Sequence, residues 1–290
     1  MTTVLTAVIT GVVVLLVGSV PWGGFSALNF RIGTAVPWAI LPMAVYLAAY
    51  WGFLSGRWGD PDGAAARRAN LRANALPPGT WGRSLASGAL GFAALLALLA
   101  VAARLVRLPA TPPIVMPAAM PVATAFLLIV MQSIMAGVTE EAAFRGYMQS
   151  PIERHYGLII AIVVNGALFG LLHFSSHPND VLLMLPYYIA VAAVYGGLTW
   201  ATDSILPALV LHSVGDIVVL TRLWLTGRPE WQLFETPPSL VWEHGIDASF
   251  AITTTVFIIC AACTTWSYVA LRRMRERTIG AVPAAVGAAI

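Results

Sequence analysis

Charge is what this 290-residue chain has least of. Only 10% of its residues are Asp, Glu, Lys or Arg, while 59% are hydrophobic, and the mean hydropathy is +0.80. A soluble domain of this size carries charge near 25% to cover its surface, so a water-facing globular protein and a disordered chain are both excluded. Lysine is missing altogether. All 16 basic residues are arginine, a bias that points to a GC-rich, bacterial-type genome and not to a binding role. The net charge of +3 is too small and too scattered for nucleic acid. Cysteine is reduced to Cys260 and Cys263, both inside an apolar run, so no disulfide framework is implied and the pair reads as small packing residues.

What is present is apolar sequence in long pieces. Apolar stretches predict spans near 3–21, 36–55, 84–103, 122–148, 157–174, 181–202, 206–226 and 249–270, each near the roughly 20 residues a bilayer requires. The expected fold class is all-α: a polytopic transmembrane helical bundle of about eight spans, with 1–290 forming one multi-pass membrane domain. The first span starts without a positive n-region and ends without a small-x-small site, so it is expected to stay uncleaved.

The arginines orient the bundle. Arg57, Arg67, Arg68, Arg72 and Arg83 lie between spans two and three, and Arg272, Arg273, Arg275 and Arg277 follow the last span. The positive-inside rule makes both segments, and with an even span count both termini, cytoplasmic in a cell (inner or plasma) membrane. Glu230, Glu235, Glu243 and Asp247 against Arg228 fit the outer side. The polar stretch from Gly56 to Trp81 reads either as a short helix on the inner surface, its arginines meeting lipid headgroups, or as a plain loop.

Besides Arg222 near the end of span seven, six ionisable residues sit inside spans, where each costs several kcal/mol unless paired or used, about 2.5–3.5 on insertion scales. Span four carries Thr139-Glu140-Glu141-Ala142-Ala143-Phe144-Arg145, span five ends Phe169-Gly170-Leu171-Leu172-His173, and span seven contains His212-Ser213-Val214-Gly215-Asp216. Adjacent glutamates on a helix point about 100° apart, so they do different work. Glu141 and Arg145 have the i, i+4 spacing of an ion pair, which leaves Glu140 on another face without a local partner and free to act as a general base. His212 and Asp216 share a face by the same spacing. Two histidines and one or two carboxylates from three helices can hold zinc or activate water directly. The His-Glu-x-x-His zincin helix is absent. Plain structural readings stand beside these: a membrane histidine as an interhelical hydrogen-bonding group, and Glu-Glu-x-x-x-Arg as a snorkelling cluster. His155, His177 and His244 lie in or beside loops, and Glu153–Arg154 reads as a solvated pair.

Depth is a check on convergence. At about 1.5 Å per residue, Glu140 lies roughly 12 Å from the inner end of span four, and His212 and Asp216 roughly 9 and 15 Å from the start of span seven. His173 comes out deeper, at roughly 24 Å. The convergence is imperfect but holds if span five begins later than 157 or starts above the inner boundary after an exposed turn around Glu153–Tyr156.

Glu140-Glu141-x-x-x-Arg145, Phe169-x-x-x-His173 and His212-x-x-x-Asp216 together resemble the three motifs of the CPBP family, the CAAX-protease and bacteriocin-processing (Abi) intramembrane proteases that include the Rce1-type endopeptidases. The likeness covers about 120–226, expected to be the catalytic core, and implies a helical core whose site opens to the cytoplasmic side. It implies that Glu140 is the base that activates water and that His173 assists by binding that water or a metal. His212 and Asp216 would stabilise the oxyanion or complete a ligand set, with Glu141, Arg145 and Phe169 in support. If the reaction uses a metal, the resemblance implies zinc on Glu140, His173, His212 and Asp216. Rce1-type members carry asparagine where this chain has Asp216; an ionised aspartate cannot donate to an oxyanion, and it serves better as a ligand or as a partner of His212. The implied partners are a peptide or membrane-associated protein substrate and membrane lipids. A non-catalytic scaffold or immunity protein, and an ion-coupled transporter, are the other classes that a polar membrane core admits.

Overall fold

The structure, a computed structural model, describes residues 2–173, 180–228 and 238–280. His177, Glu230 and Glu235 lie outside the described residues. Among those described there is helix and no strand, as hydrocarbon demands of a chain whose backbone groups must bond within themselves. The elements are α1 (Thr2–Ile32), α2 (Ile40–Leu54), α3 (Pro61–Leu71), α4 (Pro78–Leu105), α5 (Val122–Glu140), a π-helical segment (Glu141–Met148), α6 (Gln149–Tyr156), α7 (Leu158–Leu172), α8 (Val181–Thr202), α9 (Leu206–Thr226), α10 (Val241–His244) and α11 (Ala248–Gly280). Among the described residues six helices are long and apolar enough to cross a bilayer, and α2 and α7 are shorter apolar helices of 15 residues each. The protein is thus a polytopic bundle of the expected class.

Two breaks in helical bonding show how the chain satisfies its backbone. Pro21 sits inside α1 and removes the N–H that would bond the Val17 carbonyl. Tyr46 of α2 donates its hydroxyl to that carbonyl at 2.5 Å, and Tyr50, one turn on, donates to Val14 O at 3.0 Å. The irregular turn between α1 and α2 closes on Asn29, fully buried, whose amide donates to Gly33 O and Val36 O while its oxygen accepts from Ala39 N. Irregular backbone is tolerated here because protein, not lipid, bonds it.

The apolar helices alternate between two ends. At one end Arg72 reaches Glu153 of α6 at 3.0 Å and Asp203, just after α8, at 2.9 Å. At the other, Arg104 and Arg107 at the end of α4 pair with Asp247 and Glu243 at 2.8 and 2.9 Å. The segment left open as surface helix or loop is a helix, α3, started by Pro61 and by Asp60, whose carboxylate accepts from Asp62 N and Gly63 N. It docks on the bundle through Leu71, 1% exposed. Its arginines bond protein carbonyls: Arg67 reaches Phe53 O, Trp58 O and Asp60 O, and Arg68 reaches Gly56 O. Glu153 and Arg154 are no pair. Glu153 takes Arg72 and Gln149, while Arg154 donates to Ser150 and Asn70.

The central helix runs unbroken through α5, the π segment and α6 to Tyr156, eight residues beyond the expected end of span four. This removes the depth conflict. Gly157, at φ +84°, turns the chain into α7, and Glu140 precedes it by 17 residues while His173 comes 16 residues after it. On two helices leaving one turn they lie level, each roughly 25 Å along. All eight π residues are buried. A stretch of i→i+5 bonding rotates the next turns of helix relative to regular α geometry and is frequent at functional sites.

Candidate active site

Glu141 and Arg145 open and close the first turn of the π segment. Arg145 Nη1 donates to Glu141 Oε1 at 2.9 Å, with side chains 1% and 0% exposed. The pair expected from spacing is therefore present, but it is more than a brace. The same Oε1 lies 2.7 Å from His212 Nδ1 of α9. A carboxylate only accepts, so Nδ1 carries the proton, and Nε2 is turned to the other side of the ring.

On that side stand Glu140 and Asp216. Glu140 Oε2 and Asp216 Oδ2 are each 3.6 Å from His212 Nε2. Glu140 thus has a neighbour from another helix, which its own helix could not supply. Its side chain is 21% exposed and that of Asp216 31%, against 8% for His212, so the two carboxylates are partly accessible while the ring is packed away. At 3.6 Å these are not hydrogen bonds. Acceptor atoms converging at this range need a donor between them.

His173 ends α7, and its Nδ1 lies 2.8 Å from the Phe169 carbonyl one turn back. A carbonyl accepts, so Nδ1 donates and Nε2 is left available. The ring packs against Phe169 at 4.4 Å and Tyr188 at 5.0 Å, and it lies within electrostatic range of both Glu140 and Asp216. Phe169 also meets Phe144 edge-on at 5.2 Å. The structure therefore brings Glu140, Glu141, Arg145, Phe169, His173, His212 and Asp216 into one region. His155, stacked edge-on with Tyr156 beside the Gly157 turn, and His244, on α10 at the Arg104 end, stand apart from it.

Several contributors escape a reading by motif. Tyr195 of α8 stacks on His212, rings 5.3 Å apart and 20° from parallel. The Arg145 guanidinium lies 5.3 Å from the same ring and 5.4 Å from Phe169, so aromatic faces support a cation whose Nε and Nη2 have no hydrogen-bond partner among the described residues. Tyr188 and Tyr195 are seven apart, two turns of α8, and that stripe of polar-tipped rings in an apolar span is the signal that marks them. Gly137 is the other. A Cβ there would stand 2.1 Å from Ser213 Oγ and 3.1 Å from Leu209 O and Ser213 N, so α5 and α9 meet where only glycine fits.

Among the described residues no group of three or more His, Cys, Asp or Glu side chains is arranged to hold a metal ion. The Nδ1 bonds of His173 and His212 leave both Nε2 atoms free, as in a ligating imidazole, so it is the placement of the side chains and not those bonds that fails to make a metal set. Among the described residues the side chains as placed do not fit a zinc set.

The comparisons agree with the motifs. Residues 122–218 match the family model described as type II CAAX prenyl endopeptidase Rce1-like, within the segment 120–226 and with all seven residues of the cluster inside it. No curated protein and no solved structure matches the chain. Residues 122–218, a third of the chain, are thus similar to the Rce1-like endopeptidases, and the apolar helices around them make this a multi-pass membrane protein.

Proposed function

We propose that this protein is an intramembrane endopeptidase in which Glu140 activates water and His173, His212 and Asp216 complete the site. The observation that carries this is the pair of 3.6 Å separations from His212 Nε2 to Glu140 and Asp216. Atoms at this range can share one water placed beside them, and water supplies the donors that this set of acceptors lacks. Glu140 removes a proton as the water oxygen adds to the scissile carbonyl carbon. It returns that proton to the leaving nitrogen as the C–N bond breaks. His173 positions the water through its free Nε2. His212, held by Glu141 and stacked on Tyr195, can donate to the oxyanion only from a protonated Nε2. Asp216, acceptor-only when ionised, orients that ring and the water. The arginine-rich end is the cytoplasmic face on this reading, with both chain ends on it, and 1–290 acts as one membrane domain around the 120–226 core.

The test is whether Glu140→Gln and His173→Ala abolish proteolysis while leaving the protein folded and inserted. Its substrates would be found by comparing the membrane peptidomes of a deletion strain, the wild type and a Glu140→Gln strain. Wild-type processing in both variants would discard the enzyme reading in favour of a non-catalytic membrane scaffold.

A further inference from the structure

The arginine-rich end holds a second polar feature that the proposed reaction does not use. A cavity of about 270 Å³ opens between the α3–α4 linker, the end of α8 and the last turns of α11. Leu76, Pro77 and Leu271 give it an apolar side, and Asn74, Asp203 and Arg275 a polar one.

The charges on the polar side are unequally satisfied. Asp203 is saturated: Oδ1 accepts from Arg72 Nε at 3.0 Å and Nη2 at 2.9 Å, and Asn74 Nδ2 lies 3.4 Å from Oδ2. Arg275 is not. Its Nη1 makes a long 3.4 Å bond to Trp200 O and stands 3.8 Å from Asp203, while its buried Nε has no partner among the described residues. A guanidinium offers five donors, and leaving them unmade in a buried place is costly. At the rim, Arg83 Nη1 lies 3.4 Å from Met274 Sδ, a weak acceptor, with no carboxylate on Arg83 among the described residues. The under-bonded guanidinium of Arg275 therefore lines a cavity whose own carboxylate is already engaged, and exposed Arg83 of α4 stands beside that lining through Met274.

The position narrows the ligand. Trp81 and Trp200, both half-buried, lie at this end of the bundle, where indole rings mark the headgroup level of a bilayer. A phosphate has more acceptor oxygens than a carboxylate and so spans donors from two helices. The apolar side suits the glycerol and first methylenes attached to it. We propose that this cavity binds a phosphate-bearing amphiphile, the head of an anionic phospholipid, with its phosphate on Arg275 and Arg83 and its apolar stem against Leu76, Pro77 and Leu271. The site is independent of the proposed catalysis.

The test uses the purified full chain in neutral detergent, titrated with phosphatidylglycerol, phosphatidylcholine and inorganic phosphate while binding and thermal stability are read. Phosphatidylglycerol should bind saturably and about tenfold or more tighter than either of the others. Arg275→Gln and Arg83→Gln should each weaken it about tenfold, the effect of one lost charged hydrogen bond. Ala75→Trp, at an exposed position of the linker lining the cavity, should weaken it similarly with both arginines in place. It decides the question even if Arg275→Gln does not fold. Equal binding of phosphatidylcholine would show that net charge is not read, and equal binding of inorganic phosphate would assign the site to the free anion; either result overturns the proposal. Unchanged phosphatidylglycerol binding in Ala75→Trp overturns it as well.

Discussion

Replacing Gly137 by alanine tests whether the approach of α5 to α9 sets the active geometry. The added Cβ would stand 2.1 Å from Ser213 Oγ and 3.1 Å from two backbone atoms of α9, where ordinary contact begins at 3.4 Å. Ser213 Oγ is buried with no hydrogen-bond partner among the described residues, so it can rotate aside without breaking a bond. Leu209 O and Ser213 N cannot. The helices must therefore separate by about 0.3 Å at least, and by more than 1 Å if Ser213 stays where it is. His212 adjoins Ser213, so its 2.7 Å contact with Glu141 and its 3.6 Å approach to Glu140 lengthen with that shift. Misplacement by 1 Å costs about 10²-fold in rate, and overpacking about 1–3 kcal/mol in stability. Gly137→Ala should lower kcat/KM by about ten- to a hundredfold, measured in bilayer vesicles on a peptide whose cleavage needs Glu140. Adding Ser213→Ala removes the 2.1 Å contact but not the two at 3.1 Å, so it should rescue in part. Wild-type kcat/KM together with wild-type thermal stability in Gly137→Ala would refute the reasoning.

Three further outcomes are expected from other parts of the molecule. Tyr46→Phe leaves the Val17 carbonyl beside Pro21 without its donor and should cost about 1 kcal/mol of thermal stability with cleavage unchanged; no loss would mean the 2.5 Å bond is of no consequence. Arg104 beside Asp247 and Arg107 beside Glu243, through their hydrogen bonds first, hold both carboxyls below their ordinary values of 3.8 and 4.5. Lowered carboxyl values stabilise the folded loop above the ordinary range, and that contribution is lost as pH falls through the lowered values. Hydrogen exchange of residues 238–247, corrected for intrinsic rates, should therefore be flat from pH 8 to 5 and rise below about pH 4; a rise near pH 6 would contradict it. Treatment with a chelator should leave cleavage intact, since the described side chains as placed form no group that holds a metal. A loss restored by zinc would replace the water reading by a metal held on Glu140, His173, His212 and Asp216.

How much of this was legible in the chain depends on the range of the interaction. Membrane class, the eight apolar helices and the Glu141–Arg145 and His212–Asp216 spacings are local: they depend on hydropathy and on 3.6 residues per turn, which any window of sequence displays. The pairing of Glu140 with His212, the second bond on Glu141 and the ring of Tyr195 over His212 depend on α8 and α9, tens of residues away. Spacing says which face a residue takes on its own helix, not what that face meets. The π segment and the continuation to Tyr156 were hidden for another reason. A change of helical phase leaves apolar composition unaltered, and polar residues such as Gln149 and Glu153 look like the end of a span until Gly196 and Arg72 are there to bond them. By itself the sequence determined the solvent, the spans and the short set of ionisable residues that hydrocarbon would not otherwise tolerate. Only tertiary structure decided which of them face one another, because that depends on how closely helices approach, and here on a single glycine at 137.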